Sequence, residues 1–245
     1  MPVFFIAAPH VIDGVVTITG PLVDHLRKSL RVTVRETLWL GDDRRKRYFI
    51  QVMTITPLEL RGHVLEEREG PPPTHPSVIL AQAILKGDRM DWVIQKATEL
   101  GASSIIPIIS ERVIARPRIE RLGAQQERWQ RIAFEAAQQA ERWDVPEVHP
   151  PAELITWLRT SSGKLKLILS ERSDKDGLAT IALPEDATSR ILLVIGPEGG
   201  WSAAEREAAH ASGCTSVTLG PRILRAETAA LAAVTIIQSR LGELG

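Results

Sequence analysis

Hydrophobic positions recur along this chain with two different periods, and the period changes at a proline-rich break. Before the break the apolar runs are short: Val15-Val-Thr-Ile18, Leu38-Trp-Leu40, Tyr48-Phe-Ile-Gln-Val-Met53 and Leu58-Glu-Leu60. They are β-branched or aromatic and bounded by Gly, Pro or charged turns, which predicts the strands of a small barrel or sandwich. Leu22, Leu26 and Leu30 interrupt the series at helical spacing, so Pro21 to Leu30 reads as a short helix. The break itself, Glu69-Gly-Pro-Pro-Pro-Thr-His-Pro-Ser77, places four prolines in six positions. Such a stretch continues neither a helix nor a central strand and reads as a stiff linker. The predicted organisation is a β-rich domain over 1–70, a linker over 71–77 and a larger domain over 78–245.

In the larger part, strand and helix patterns alternate. Val78 to Ile84 is a run of the buried-strand type, followed by Met90, Val93, Ile94, Ala97 and Leu100 at helical spacing. Asp88 is the expected N-cap of that helix and Gly101 its stop. Ile105 to Ile109 reads as the next strand. Trp129, Ile132, Ala133, Ala136, Ala140 and Trp143 form one stripe of a long amphipathic helix. Leu165–Leu169 and Ile191–Ile195 are the continuous apolar runs of strands covered on both faces. Ser202-Ala-Ala-Glu205 is a capping-box sequence, with a stop near Gly213. Thr215 to Leu219 predicts a last strand and Ala226 to Leu241 a last helix. The alternation predicts an α/β domain on a largely parallel sheet.

Composition narrows the function classes. No apolar stretch approaches the ~18 residues needed to span a bilayer, and Met1-Pro-Val-Phe-Phe-Ile6 lacks the basic start of a signal peptide. A single cysteine, Cys214, makes no internal disulfide, which points to a reducing, cytoplasmic setting. Six histidines, at 10, 25, 63, 75, 149 and 210, have no metal-ligand spacing, so no metal is expected. Thirty basic residues balance thirty acidic ones, yet the balance is global and not local. From His25 to Arg47 there are eight Lys or Arg against three acids, and from Arg112 to Arg142 seven Arg against four. Basic surface of this kind suits a polyanion bound by a few arginines and by shape.

Ligands of open α/β sheets bind beyond the carboxyl ends of the strands. Three such ends stand out: Ser170-Glu171-Arg172, Gly196-Pro-Glu-Gly-Gly-Trp-Ser202 and Gly220-Pro-Arg-Ile-Leu-Arg-Ala-Glu-Thr228. Neither G-x-G-x-x-G nor G-x-x-x-x-G-K-[ST] is present, which disfavours a dinucleotide fold and a P-loop. Ser170 has no G-x-S-x-G elbow, so an acyl-transfer triad is disfavoured too. A shared pocket built from the second and third loops is expected.

The longer motifs form a recognisable set. Lys86-Gly-Asp-Arg-Met-Asp-Trp-Val-Ile-Gln-Lys-Ala-Thr-Glu-Leu-Gly101 comes first, then Ser110-Glu-Arg112, Arg128-Trp129 and Glu135-Ala-Ala. Ile195-Gly-Pro-Glu-Gly-Gly-Trp-Ser202 and Leu219-Gly-Pro-Arg-Ile-Leu-Arg-Ala-Glu-Thr-Ala229 complete it. In this order and spacing the set closely resembles the RsmE family of 16S ribosomal RNA uracil-N3 methyltransferases, of the SPOUT superfamily. The likeness covers essentially the whole chain, including an N-terminal segment with His25 and Leu30-Arg31. It implies a PUA-like β-barrel followed by an α/β domain closed by a C-terminal trefoil knot. It also implies a homodimer, S-adenosyl-L-methionine as the methyl donor, and 16S ribosomal RNA of the small subunit as partner.

By the same resemblance, cofactor contacts fall on Leu169, Ser170 and Glu171, and on Gly196, Pro197, Glu198, Gly199 and Gly200. The third loop adds Leu219, Gly220, Arg222, Ile223, Leu224, Arg225, Thr228 and Ala229. RNA contacts are expected from His25, Arg27, Arg31, Lys86, Arg89, Arg112 and Arg116. Methylation at N3 requires loss of a proton and stabilisation of charge on the uracil carbonyls. Arg225 is the candidate for the second task, and Glu227 or Glu198 for the first. The chain departs from the family pattern at Gln138, at Val113, and at Val34-Arg-Glu36 and Gly41-Asp-Asp43. Two other classes stay open on the residues alone: an RNA-binding assembly factor without catalysis, and a methyltransferase acting on another base.

Overall fold

The computed structural model describes residues 3–6, 11–42, 44–113, 119–170 and 177–245. The chain divides into two compact units, Met1–Pro72 with Ala137–Val145, and Pro73–Ala136 with Pro146–Gly245.

The first unit is built on six strands: β1 Val3–Phe5, β2 Val11–Ile12, β3 Val15–Thr19, β4 Thr37–Gly41, β5 Lys46–Ile55 and β6 Glu59–Glu69. Their order is β1-β4-β5-β6-β3-β2, antiparallel except for the β1–β4 pair. Period-two alternation sends Leu38, Leu40, Tyr48, Ile50, Val52 and Leu60 inward to one core. The predicted short helix is α1, Pro21–Asp24, which runs on into a π-helical turn over His25–Ser29. Its Val23 and Leu26 complete the core. Strand β6 is longer than its apolar residues suggested, because its charged end pairs with β5. Lys46 lies 2.5 Å from Glu67 and 3.7 Å from Glu69 across the two strands.

The second unit carries β7 Ser77–Ala83, β8 Ser104–Ile109, β9 Glu147–Val148, β10 Ala152–Glu153, β11 Leu165–Leu169, β12 Arg190–Ile195 and β13 Thr215–Val217. Every pairing among them is parallel, in the order β10-β8-β7-β12-β11-β13, with β9 beside β8. Helices α2 Arg89–Glu99, α3 Leu122–Gln139, α4 Leu154–Thr160, α5 Ala203–Ala211 and α6 Ala226–Arg240 complete it. Successive residues Ile191, Leu192, Leu193, Val194 and Ile195 are all buried, as expected of a strand covered on both faces. The predicted α/β class and parallel sheet are therefore present.

Two local expectations are corrected. Helix α3 ends at Gln139, short of Ala140 and Trp143. Glu141 takes a left-handed conformation, φ 49°, that ends the helix. The Trp143 ring instead covers the Arg47 guanidinium at 3.8 Å and packs on Gly70, so its apolar surface is not part of a helical stripe. Asp88 does precede α2, but with helical dihedrals and no side-chain capping bond. An N-cap side chain needs an extended backbone to reach back to the helix N–H groups, and Asp88 lacks it. Gly101 stops the helix at φ 91°, and Ser202 and Glu205 form both bonds of the capping box.

Candidate active site

Strands β12, β11 and β13 are neighbours, so the three loops leaving their carboxyl ends converge. They enclose a cavity of about 730 Å³. From the first loop come Leu169 and Ser170, from the second Gly196 to Trp201, from the third Thr218 to Gly220 and Arg222 to Ala226, with Ala229 one turn on. Arg89 at the start of α2, Arg112 after β8, and Arg206 of α5 close the rim.

Local chemistry fixes each loop. Ser170 N–H donates to the Val217 carbonyl at 3.0 Å, carrying the β11–β13 pairing one residue past the strand. In the second loop Gly200 N–H donates to the Pro197 carbonyl at 2.9 Å, closing a tight turn whose φ of 66° favours glycine. A Cβ on Gly196 would lie 3.1 Å from the Trp201 ring, so any larger residue there must push the indole aside. That ring donates from Nε1 to the Leu169 carbonyl at 3.0 Å, tying the second loop to the first. In the third loop Thr218 Oγ1 accepts the Gly220 N–H at 3.2 Å, and Gly220 has φ 107°. The Arg225 carbonyl takes the first helical bond of α6, from Ala229 N–H at 2.8 Å.

Charge is distributed unevenly around the cavity. Arg89 Nη1 donates to Glu198 Oε1 at 3.2 Å, and its Nε lies 3.8 Å from Glu227 Oε1. The other carboxylate oxygen of each, Oε2, is buried and has no hydrogen-bond partner among the described residues. Arg112 Nη1 donates to the Gly199 carbonyl at 3.3 Å and Arg206 Nη1 to the Trp201 carbonyl at 2.7 Å. The guanidinium groups of Arg222 and Arg225, both exposed, make no hydrogen bond or ion pair among the described residues. Two free guanidinium groups therefore face a lining with two unspent carboxylate oxygens near it. Cys214 is uninvolved: it is buried, and desolvation pushes its thiol above the usual range, so it stays a neutral hydrophobe.

Most of the predicted cofactor positions come together here. Thr228 and Glu227 do not line the cavity; Thr228 points outward in the first turn of α6, whereas Glu227 is half-buried beside Arg89. Glu171 and Arg116 lie outside the described residues. Of the expected RNA contacts, Arg89 and Arg112 sit on the rim and Lys86 is exposed just before α2. His25 and Arg31 are exposed in the first unit, and Arg27 pairs with Asp24 at 3.7 Å. Sequence reasoning missed Trp201 and Arg206 as lining residues. Trp201 stood inside the quoted glycine motif, but nothing in spacing says that its indole spans two loops. No group of three or more His, Cys, Asp or Glu among the described residues could hold a metal ion.

Comparison with known proteins identifies this architecture. The model of the RNA methyltransferase domain family matches residues 72–238. Ribosomal RNA small subunit methyltransferase E of Synechocystis is 32% identical over 240 residues, spanning 96% of this chain and 77% of its own length. The chain belongs to that family. The homologous enzyme of Bacillus subtilis is 37% identical over 167 residues, covering 65% of this chain and 64% of its own. A crystal structure of the Neisseria gonorrhoeae ribosomal RNA small subunit methyltransferase E, bound to S-adenosylmethionine, is 34% identical with a TM-score of 0.85. It covers 98% of both chains. Two of the departures from the family pattern, Gln138 and Asp42, are used within the first unit. Gln138 Oε1 accepts the Phe5 N–H at 3.0 Å, and Asp42 Oδ1 accepts the N–H groups of Arg44 and Lys46 at 2.9 and 2.8 Å.

Proposed function

We propose that this chain is an S-adenosylmethionine-dependent methyltransferase that modifies N3 of a uridine in 16S ribosomal RNA of the small subunit. The observation that carries the reading is the cavity beyond β11, β12 and β13, in which backbone-exposing glycines, an apolar wall and two unpaired arginines meet.

The residues fit such a cofactor. Gly196, Gly199 and Gly200 carry no side chain that would hold a ligand off the loop, while Leu169, Ile195, Leu219 and Ile223 offer apolar surface for a purine. The methyl donor carried by the Neisseria relative supports this assignment. When bound, S-adenosylmethionine supplies an electrophilic methyl group on a sulfonium. The remaining work falls to side chains of this protein. Arg225 stabilises negative charge on the uracil carbonyls as N3 gives up its proton, an oxyanion-type role suited to a free guanidinium. Glu198 receives that proton at Oε2; it lines the cavity, whereas Glu227 does not. Arg89 holds Glu198 through Oε1 and leaves Oε2 available. Alignment of N3 with the methyl carbon supplies a further large share of the acceleration, up to ~7–11 kcal/mol in favourable cases.

The last helix supports a knotted C-terminus. It follows β13 at the edge of the sheet yet packs on β7 and β12 in the middle. Residues around 178 bridge back to it: Leu178 N–H donates to the Thr218 carbonyl at 2.9 Å, and Arg240 donates to the Leu178 and Ile181 carbonyls at 3.0 and 2.6 Å. On this reading the enzyme is a homodimer, whose second copy would cover Ile223, 67% exposed on the cavity wall. The first unit, a PUA-like barrel on this reading, presents His25 and Arg31 to RNA phosphates and positions the target, which must be unstacked to enter the cavity. No helix among the described residues is long and apolar enough to cross a membrane, and the proposed substrate places the enzyme in the cytoplasm.

Calorimetry with S-adenosylmethionine tests the reading: saturable binding at one site per chain is expected. Absence of binding at millimolar cofactor would leave a non-catalytic RNA-binding factor instead.

A further inference from the structure

We propose that Glu205 is a positioning residue: its carboxylate ties the turn after β8 to the glycine loop of the cavity and thereby sets the affinity for S-adenosylmethionine. The inference rests on the reading of the cavity as the cofactor site.

Glu205 stands in the first turn of α5 and is only 3% exposed. Its Oε2 accepts the Ser202 N–H at 2.9 Å, which closes the capping box. Its Oε1 accepts the N–H of Glu111 at 2.8 Å, 94 positions away in sequence. The first bond is a helix cap, a task that Glu and Gln both perform. The second contributes nothing to the cap. It fixes instead the turn that carries Arg112, and that turn presses on the cavity loop. A Cβ on Gly199 would lie 3.1 Å from both Cβ and the carbonyl oxygen of Arg112, and Arg112 Nη1 donates to the Gly199 carbonyl at 3.3 Å. Arg112 and Gly199 both line the cavity.

A buried carboxylate with each oxygen taken by a backbone N–H is a charge-assisted tether. It holds two segments in register where the backbone must meet a ligand at close range, so that less ordering is left to the binding step. A carboxamide cannot replace it, because it has one acceptor oxygen and two donor hydrogens. In Glu205→Gln the single amide oxygen can serve only one of the two N–H groups, and the NH2 meets the other donor to donor. Either orientation breaks the bridge from Glu111 to Ser202. Ser202→Ala is the complement: it removes the bond from Glu205 N–H to Ser202 Oγ, at 3.2 Å, and leaves the tether in place.

The test measures steady-state methyl transfer, cofactor affinity by calorimetry and the thermal midpoint on the full chain and these two variants. For Glu205→Gln, KM and Kd for S-adenosylmethionine should rise about tenfold, equivalent to ~1.4 kcal/mol. Its kcat should change by less than about threefold, the split expected when ground-state binding is lost. Ser202→Ala should lower the thermal midpoint and leave KM unchanged. A wild-type KM in Glu205→Gln would overturn the proposal, as would losses of affinity that simply track the midpoint in both variants. A wild-type chain that binds no S-adenosylmethionine would overturn the cofactor site itself, whereas normal wild-type binding with an unaffected Glu205→Gln removes only the role of Glu205.

Discussion

The two units use their polar groups in different ways. In the first, a set of charges is consumed by the fold, although the buried Nε atoms of Arg27 and Arg47 have no hydrogen-bond partner among the described residues. Asp42 is 1% exposed and accepts two backbone N–H groups and, at 2.9 Å, the Tyr48 hydroxyl. Lys46 bonds Glu67, Arg68 bonds Glu66 beside the Trp39 ring, and Arg47 lies under Trp143. In the second unit the apolar sheet holds itself together, and polar capacity is left over at the ends of three adjacent strands. The guanidinium groups of Arg222 and Arg225 lack partners among the described residues there, and Glu198 and Glu227 each keep an unused oxygen. Buried polar atoms are normally satisfied, so unspent capacity gathered around a cavity marks where a ligand is to supply the missing partners.

The sharpest way to break this contrast is to remove a free group. Arg225→Ala should lower methyl transfer by about 10²–10³-fold, the usual loss for a charge-stabilising donor. Its thermal midpoint should stay near that of wild type, because the side chain is exposed and unbonded. Near-full activity would show that Arg225 is not catalytic.

Core truncations separate the units next. Leu193 in β12 and Leu40 in β4 are both fully buried, and replacing either by Ala should cost ~2–5 kcal/mol in denaturant unfolding. Leu193 stands two residues before the cavity-lining Ile195 in β12, so Leu193→Ala should also weaken S-adenosylmethionine binding. Leu40→Ala belongs to the other core and should leave that affinity within about twofold, as independent sites do. Equal losses of affinity in both would contradict the separation. The smallest effect concerns the satisfied network. Tyr48→Phe strips Asp42 of its hydroxyl partner and should destabilise the chain by ~1–3 kcal/mol without changing cofactor affinity.

Legibility in the sequence followed the same contrast. The buried strands were visible because a two-sided strand must be apolar at every position, as Ile191 to Ile195 are. Gly196, Gly200 and Gly220 were visible because close approach and left-handed dihedrals need glycine. Helix α4 was not, since it is short, follows Pro150 and Pro151, and has no side-chain cap at Glu153. The two-residue strands β2, β9 and β10 were too short to show a period. Trp143 misled because apolar spacing cannot distinguish a helix stripe from a ring seated on Arg47 and Gly70. The bond from Glu205 to Glu111 was invisible for a deeper reason. It joins residues 94 positions apart, and only the folded chain brings them together.

On the proposed reading this cavity methylates N3 of a uridine in small-subunit RNA. Nucleoside mass spectrometry of small-subunit RNA incubated with the protein and S-adenosylmethionine tests it most directly. N3-methyluridine is expected with the wild-type chain and its loss with Arg225→Ala. Methylation of a different base, or none from a chain that binds the cofactor, would contradict it.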